Sequence, residues 1–485
     1  MSKLNLTMLS DFYEFTMSNG YLLSELHNKT AYYDVFFRSV PDQGGFAIAA
    51  GLEQVITYIE GLHFTNEDME FLRAKGIFHE SFLHYLADFR FSGDIYAVPE
   101  GTPIFPGEPI LTVRAKAIEA QLVETYLLMA INHQSLIATK ANRIVRAARG
   151  RVVLEFGARR AHGIGGVEGA RAAYIGGCDG TSNVLTDKLY GVPSGGTMAH
   201  SWIQMFESEY EAFKVYCSIY PENTTLLVDT YNTIKSGVPN AIRVFKEILI
   251  PQGVRDFAIR LDSGDLAYLS KKARAMLDDA GLTNCKIVAS NALDEYLIRE
   301  LVQQGAKIDI FGVGERLITS GSSPVFNGVY KLAAVEDENG RIYPKIKISE
   351  NSSKITNPHF KKVWRLFDRK TGKAIADQIG LYDEIIDDNA QLTIFDPIEP
   401  WKRKTLKDFT AKELQIPIFI SGKKVYHSPP LDRIKAYCLE QTEHLWEEVK
   451  RFENPHKYYV DLSERLYRLK NDMVNKAKAD RSQEK

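Results

Sequence analysis

DFAIRLDSGD (residues 256–265) carries an apolar run into a polar, glycine-bearing turn, and LAYLSKKARAMLDDAG (266–281) follows at once with apolar residues at helical spacing. The same rhythm recurs on either side. VVLEFGARR (152–160), TLLVDTYNT (225–233), KIVASNALDE (286–295) and IDIFGVGERL (308–317) each end a short apolar run in polar residues, and DEYLIRELVQQG (294–305) reads as another intervening helix. Strands alternating with helices predict a parallel sheet. Open sheets and barrels of this kind place their chemistry at the carboxyl ends of the strands. A barrel-like α/β domain is expected from about Asn142 to Leu332.

Outward from this core, residues 16–109 mix short apolar segments with helical ones, an α+β pattern. FTNEDMEFLRAKG (64–76) reads as a helix capped by Thr65, with Met69, Phe71 and Leu72 on one face. Residues 117–148 contain no Pro or Gly and predict one long helix or two abutting ones. Beyond the core, WRLFDRKTGKAIAD (364–377) suggests a hairpin around Thr371 and Gly372. Two amphipathic helices are expected near 434–451 and 462–475, and the polar end KAKADRSQEK (476–485) reads as frayed.

The strand ends supply the candidate site. Gly312-Val313-Gly314 permits a tight turn whose N–H groups converge on one point, with a helix starting just after; this is either a phosphate cradle or merely a turn. Arg260 can grip a carboxylate or phosphate with two prongs, while Asp262, Ser263 and Asp265 suit sugar hydroxyls or Mg²⁺; the competing reading makes them a helix cap and a surface ion pair. Asp229 also ends a strand, where capping is its ordinary role. Arg159 and Arg160 precede the glycine-rich AHGIGGVEG (161–169), so two cations stand where a loop could bring them over an anion. His200 lies between a glycine turn and an apolar stretch and is either a structural histidine, a base or a phosphoryl acceptor. Tyr13 is either a packed ring or one that stacks on a flat heterocycle.

Composition narrows the classes. Lys and Arg total 60 against 62 for Asp and Glu, a net charge of -2, so no global field gathers nucleic acid or anionic membrane. The sequence shows no secretory signal pattern and no apolar run long enough to span a bilayer, which places the expected protein in the cytosol. Cys178, Cys217, Cys285 and Cys438 form no Cys-x-x-Cys and no cluster with histidine, so they read as buried thiols.

In this order, LSDFYEFTM (9–17), EFGARRAHG, GTSNVL (180–185), GVPSGGTMAHSW (191–202), LLVDTYNT, IRLDSGDL, SNALDE, FGVGERL and FNGVYKL (326–332) resemble the nicotinate phosphoribosyltransferases. The resemblance implies the type II phosphoribosyltransferase fold. That fold is an irregular, incomplete α/β barrel (141–335) packed with an α+β domain formed by N-terminal (1–140) and C-terminal (336–485) parts. It implies a homodimer with the active site at the subunit interface. The reaction implied joins nicotinate to 5-phosphoribosyl 1-pyrophosphate, with ATP hydrolysis coupled and Mg²⁺ required.

By the same resemblance, Arg260 meets the nicotinate carboxylate, Thr197 lines its pocket and Tyr13 of the partner subunit stacks on the pyridine. Gly312 and Gly314 hold the ribose 5-phosphate, and Arg159 and Arg160 approach phosphate or pyrophosphate. Asp229, Asp262, Ser263 and Asp265 serve ribose hydroxyls and Mg²⁺, with Asp262 and Asp265 as the metal ligands. His200 accepts the γ-phosphoryl group of ATP and becomes phosphohistidine. The sister nicotinamide enzymes carry an acid where this chain has Ser182, and a neutral residue there favours a carboxylate substrate. One departure stands out: Glu315 occupies a position where many relatives have threonine, and a carboxylate beside a phosphate repels it unless it points away or binds a cation.

Overall fold

The computed structural model describes residues 5–349 and 354–483. The chain divides into two compact units, one of Met1–Leu136 with Val325–Lys485 and one of Ile137–Pro324.

The second unit holds the five runs read above, each as a strand: β1 (Val152–Glu155), β3 (Thr225–Leu227), β4 (Ala258–Leu261), β5 (Lys286–Ser290) and β6 (Ile310–Val313), with the short β2 (Gly180–Thr181) completing a six-stranded sheet. The order is β2-β1-β6-β5-β4-β3 and every pairing is parallel. Val153, Leu226, Ile259, Leu261, Ile287, Ala289, Phe311 and Val313 are buried, as a parallel sheet covered by helices requires. Among the described residues no ladder joins the edge strands β2 and β3, so the sheet stays open in the manner of an incomplete barrel.

Helices lie in the crossovers, α1 (Gly165–Ile175), α2 (His200–Gln204), α3 (Leu266–Asp279) and α4 (Glu295–Gln303), and α5 (Glu315–Ile318) follows the last strand. Asp265 caps α3 by accepting from the Tyr268 N–H (2.8 Å), and Asp294 caps α4 by accepting from those of Tyr296 and Leu297. Register follows from parallel pairing: Val288 stands beside Arg260 on β4 and Ile310 on β6, so the polar ends of these strands arrive together.

In the first unit, a seven-stranded antiparallel sheet interleaves both ends of the chain. Thr30–Phe37 pairs with Gly328–Glu336, and Asp94–Ala97 pairs with Ile416–Ile420. The α+β domain is thus built from N- and C-terminal parts, as expected. Residues 117–148 form two abutting helices, Ala117–Leu122 and Glu124–Ala148. The hairpin at Thr371 and Gly372 joins Lys361–Asp368 to Ala374–Leu381. Within it, buried Arg365 forks Asp377 at 2.9 and 2.6 Å, and Tyr458 donates to the same carboxylate. All four cysteines are buried.

Three expectations change. Thr65 does cap a helix, with Asp68 completing a reciprocal capping box, but Phe71 is 53% exposed while Met69 and Leu72 are buried. Two residues from Met69 is about 200°, just over half of a 3.6-residue turn, so Phe71 points to the opposite face. The first late helix ends at Glu443 rather than near 451. The last runs Glu464–Gln483, so the stretch read as frayed continues it to Gln483; Glu484 and Lys485 lie outside the described residues.

Candidate active site

Arg260 leaves β4 as a half-buried side chain whose guanidinium is fixed by three bonds. Nε donates to Ser290 Oγ (2.9 Å), Nη1 to Thr197 Oγ1 (2.8 Å) and Nη2 to Asp262 Oδ1 (2.8 Å). A guanidinium has five N–H groups, so one remains on each terminal nitrogen, the pair that a carboxylate can bridge. This is not the surface ion pair of the competing sequence reading. Ser290 donates in turn to Asp262 Oδ1, and the Phe156 ring lies 5.8 Å from the guanidinium carbon.

Asp262 therefore accepts from several sides. Burial alone raises its pKa, but the Ser290 hydroxyl, the Arg260 charge and bond, and nearby His200 outweigh it and hold the carboxyl below its ordinary value. Asp262 Oδ2 stands 3.7 Å from His200 Nε2, and His200 Nδ1 lies 3.1 Å from Thr230 Oγ1. A carboxylate facing Nε2 favours the proton there and leaves the Nδ1 lone pair outward, to accept from Thr230 or attack an electrophile. Asp229 accepts from the Asp262 N–H (2.8 Å) and the Ser263 hydroxyl (2.6 Å) through Oδ2, while its Oδ1 has no hydrogen-bond partner among the described residues.

The second half of the site lies at the ends of β1 and β6. Buried Glu155 accepts from the Gly157 N–H and from Thr181 Oγ1, which fixes the turn carrying Arg159 and Arg160. Both arginines are exposed. Close backbone approach explains the glycines: a Cβ on Gly157 would lie 2.6 Å from the Gly314 carbonyl oxygen, and one on Gly312 would lie 2.6 Å from the Phe156 ring. Gly312 is thus required by ring packing as well as by any phosphate. Glu315 turns toward Arg160, Oε2 to Nε 3.5 Å. Ser182 is exposed after β2, its N–H bonded to the Glu155 carbonyl. After β5, Asn291 and Ala292 adopt φ of 100° and 44°, strained backbone of the kind that clusters at functional loops.

Thr197, Asp229, Arg260, Asp262 and Ser263 therefore form one hydrogen-bonded constellation, with His200 beside it, 3.7 Å from Asp262. Arg159, Arg160, Ser182, Gly312 and Gly314 stand at adjoining strand ends, and Asp265 is a cap. Tyr13 lies in the other unit, in the helix Phe12–Leu23, 44% exposed, its hydroxyl pKa raised by burial and by Glu124 and Glu14. Ser290, Thr230, Phe156 and Glu155 were not singled out from sequence. Ser290 and Thr230 each sit at the end of an apolar run inside a quoted motif, a signal as strong as the one that marked Asp229.

Three family descriptions match the chain in sequence order: the nicotinate phosphoribosyltransferase N-terminal domain over residues 8–132, the nicotinate phosphoribosyltransferase family over 152–370 and its C-terminal domain over 360–470. The nicotinate phosphoribosyltransferase of Bacillus subtilis is 44% identical over 476 residues, 98% of this chain and 96% of that one. The chain belongs to the nicotinate phosphoribosyltransferase family. A Mycobacterium tuberculosis member is 40% identical over 462 residues, covering 95% of this chain and 92% of its own. The crystal structure of human nicotinic acid phosphoribosyltransferase superposes with a TM-score of 0.85 at 28% identity, covering 96% of this chain and 99% of the human one.

Membership of this family raises the question of a cation. Among the described residues no three His, Cys, Asp or Glu side chains gather to hold a metal. Mg²⁺ bound beside phosphates, however, needs only one or two carboxylates and keeps its waters. The unpartnered Oδ1 of Asp229 meets that need, with Asp262 adjacent, whereas an oxygen of Asp265 is committed to the α3 cap. Among the described residues no helix is long and apolar enough to cross a membrane.

Proposed function

We propose that this chain joins nicotinate to the C1 of 5-phosphoribosyl 1-pyrophosphate, releasing pyrophosphate and forming nicotinate mononucleotide for NAD synthesis, and that ATP hydrolysis through a phosphorylated His200 drives the step. The observation that carries the reading is Arg260: three bonds aim it, and two donors remain for an anion. A carboxylate is the ligand such a fork takes.

The pyridine nitrogen is already a nucleophile, so no strong base is needed. The barrier lies in the positive charge that builds on C1 as pyrophosphate departs, and the Asp229 and Asp262 carboxylates are suited to the ribose hydroxyls and to that charge. Asp229 and Asp262 would hold Mg²⁺, whose charge would offset that of the leaving pyrophosphate. Arg159, Arg160 and the Gly312–Gly314 turn receive the phosphates, Thr197 and Ser182 line the pyridine pocket, and Tyr13 of the partner subunit in a homodimer stacks on the ring.

His200 Nδ1 accepts the γ-phosphoryl group from ATP, the bond to the β-γ bridging oxygen breaks, and ADP leaves. Asp262 stabilises the positive imidazole that results, and water later releases phosphate. Two roles thus meet at Asp262, which touches both the Arg260 fork and His200. The test is His200→Ala: ATP hydrolysis linked to turnover should vanish while slow, ATP-independent nucleotide formation persists. Full ATP-stimulated activity in that variant would refute the phosphohistidine route.

A further inference from the structure

Arg159 and Arg160 are neighbours on one turn, yet they differ in company. Arg160 faces Glu315 across 3.5 Å, with both side chains more than half exposed; Arg159 has no ion-pair partner among the described residues. The pairing follows from the fold. Glu155 on β1 and Val313 on β6 are register partners, and the Gly157 backbone lies against the Gly314 carbonyl, so the two turns are locked side by side. Glu315 is the first residue after that contact and presents its carboxylate to the cation meant for substrate.

An exposed carboxylate–guanidinium pair at this distance is weak. A phosphate monoester carries more charge and offers Arg a matching fork, so it displaces the carboxylate readily. Resting on the functional reading above, we propose that Glu315 occupies Arg160 as a stand-in for the 5-phosphate and yields it when the phosphorylated sugar arrives. The carboxylate keeps the guanidinium placed between turnovers. It also loosens the grip on every phosphorylated ligand, so it sets the affinity for the sugar donor and helps nucleotide product leave.

Two measurements on Glu315→Gln, Arg160→Gln and the double variant decide this. Glu315→Gln should lower the KM for phosphoribosyl pyrophosphate by about two- to fivefold, the scale expected for breaking one exposed ion pair, leave the KM for nicotinate unchanged and not raise kcat. Calorimetry with ribose 5-phosphate should show the same tightening without turnover, and so reads the proposal even if the protein proves inactive on nicotinate, an outcome that would strike the functional reading instead. In the Arg160→Gln background the gain should disappear. An unchanged or raised KM and Kd in Glu315→Gln, or a gain of full size without Arg160, overturns the proposal.

Discussion

Arg260 shows what a single residue owes to its neighbours. Thr197, Ser290 and Asp262 spend three of its donors on the protein, and the entropy of aiming a long side chain is met before substrate arrives. Truncation therefore removes a pre-aimed fork. Arg260→Ala should lower kcat/KM for nicotinate by about 10- to 100-fold, the scale of a charged hydrogen bond worth about 1.5–3 kcal/mol, and should affect nicotinamide far less. Steady-state kinetics with both pyridines checks this; an equal loss on the two would take Arg260 away from the carboxylate. Arg260, Asp262 and Asp229 were legible in the sequence because charged residues ending apolar runs are conspicuous. Ser290 and Thr230 were not, because a hydroxyl at a strand end looks like any other, and only the fold brings Ser290 from β5 onto a guanidinium on β4.

At the scale of elements, the helix Phe12–Leu23 is tied to Glu124–Ala148 through Glu14, which is buried and accepts from the Thr125 N–H at 3.1 Å and from the Thr125 hydroxyl. Burial is the main cause that lifts the Glu14 pKa to about 7; the Thr125 bonds oppose it and the Glu124 charge adds to it. The folded state thus holds a proton that the unfolded chain, titrating at 4.5, gives up. This contribution to stability is full below pH 4.5, falls as pH rises toward 7 and is lost above it, a swing on the order of 3 kcal/mol. Glu14→Gln keeps the acceptor and removes the charge, so thermal unfolding should find it more stable than the parent at pH 8 and equal below pH 4.5. A variant no more stable at pH 8 would contradict the buried, proton-holding carboxyl. Five of the six strands of the second unit, with α3 and α4, were readable from alternation; the two-residue β2 and the helix α1 were not. Apolar periodicity does not reveal which antiparallel partners meet, so the pairing of Thr30–Phe37 with Gly328–Glu336 was not legible in the sequence, whose reading kept residues up to 335 with the barrel.

For the whole molecule, the proposed site takes Tyr13 from the partner subunit of a homodimer and Arg260 with His200 from the subunit that holds it. An interface site in a homodimer makes a specific prediction. Mixing the impaired Tyr13→Ala and Arg260→Ala proteins and allowing subunits to exchange should raise activity toward about a quarter of the parent's, since half the dimers become mixed and each then holds one intact site. No recovery despite demonstrated exchange would place both residues in the same protomer's site. The central claim is tested most directly by incubating the purified protein with phosphoribosyl pyrophosphate, Mg²⁺ and either nicotinate or nicotinamide, with and without ATP, and following mononucleotide and ADP. The account predicts ATP-stimulated product from nicotinate alone, whereas product from nicotinamide, or none from either pyridine, would contradict it.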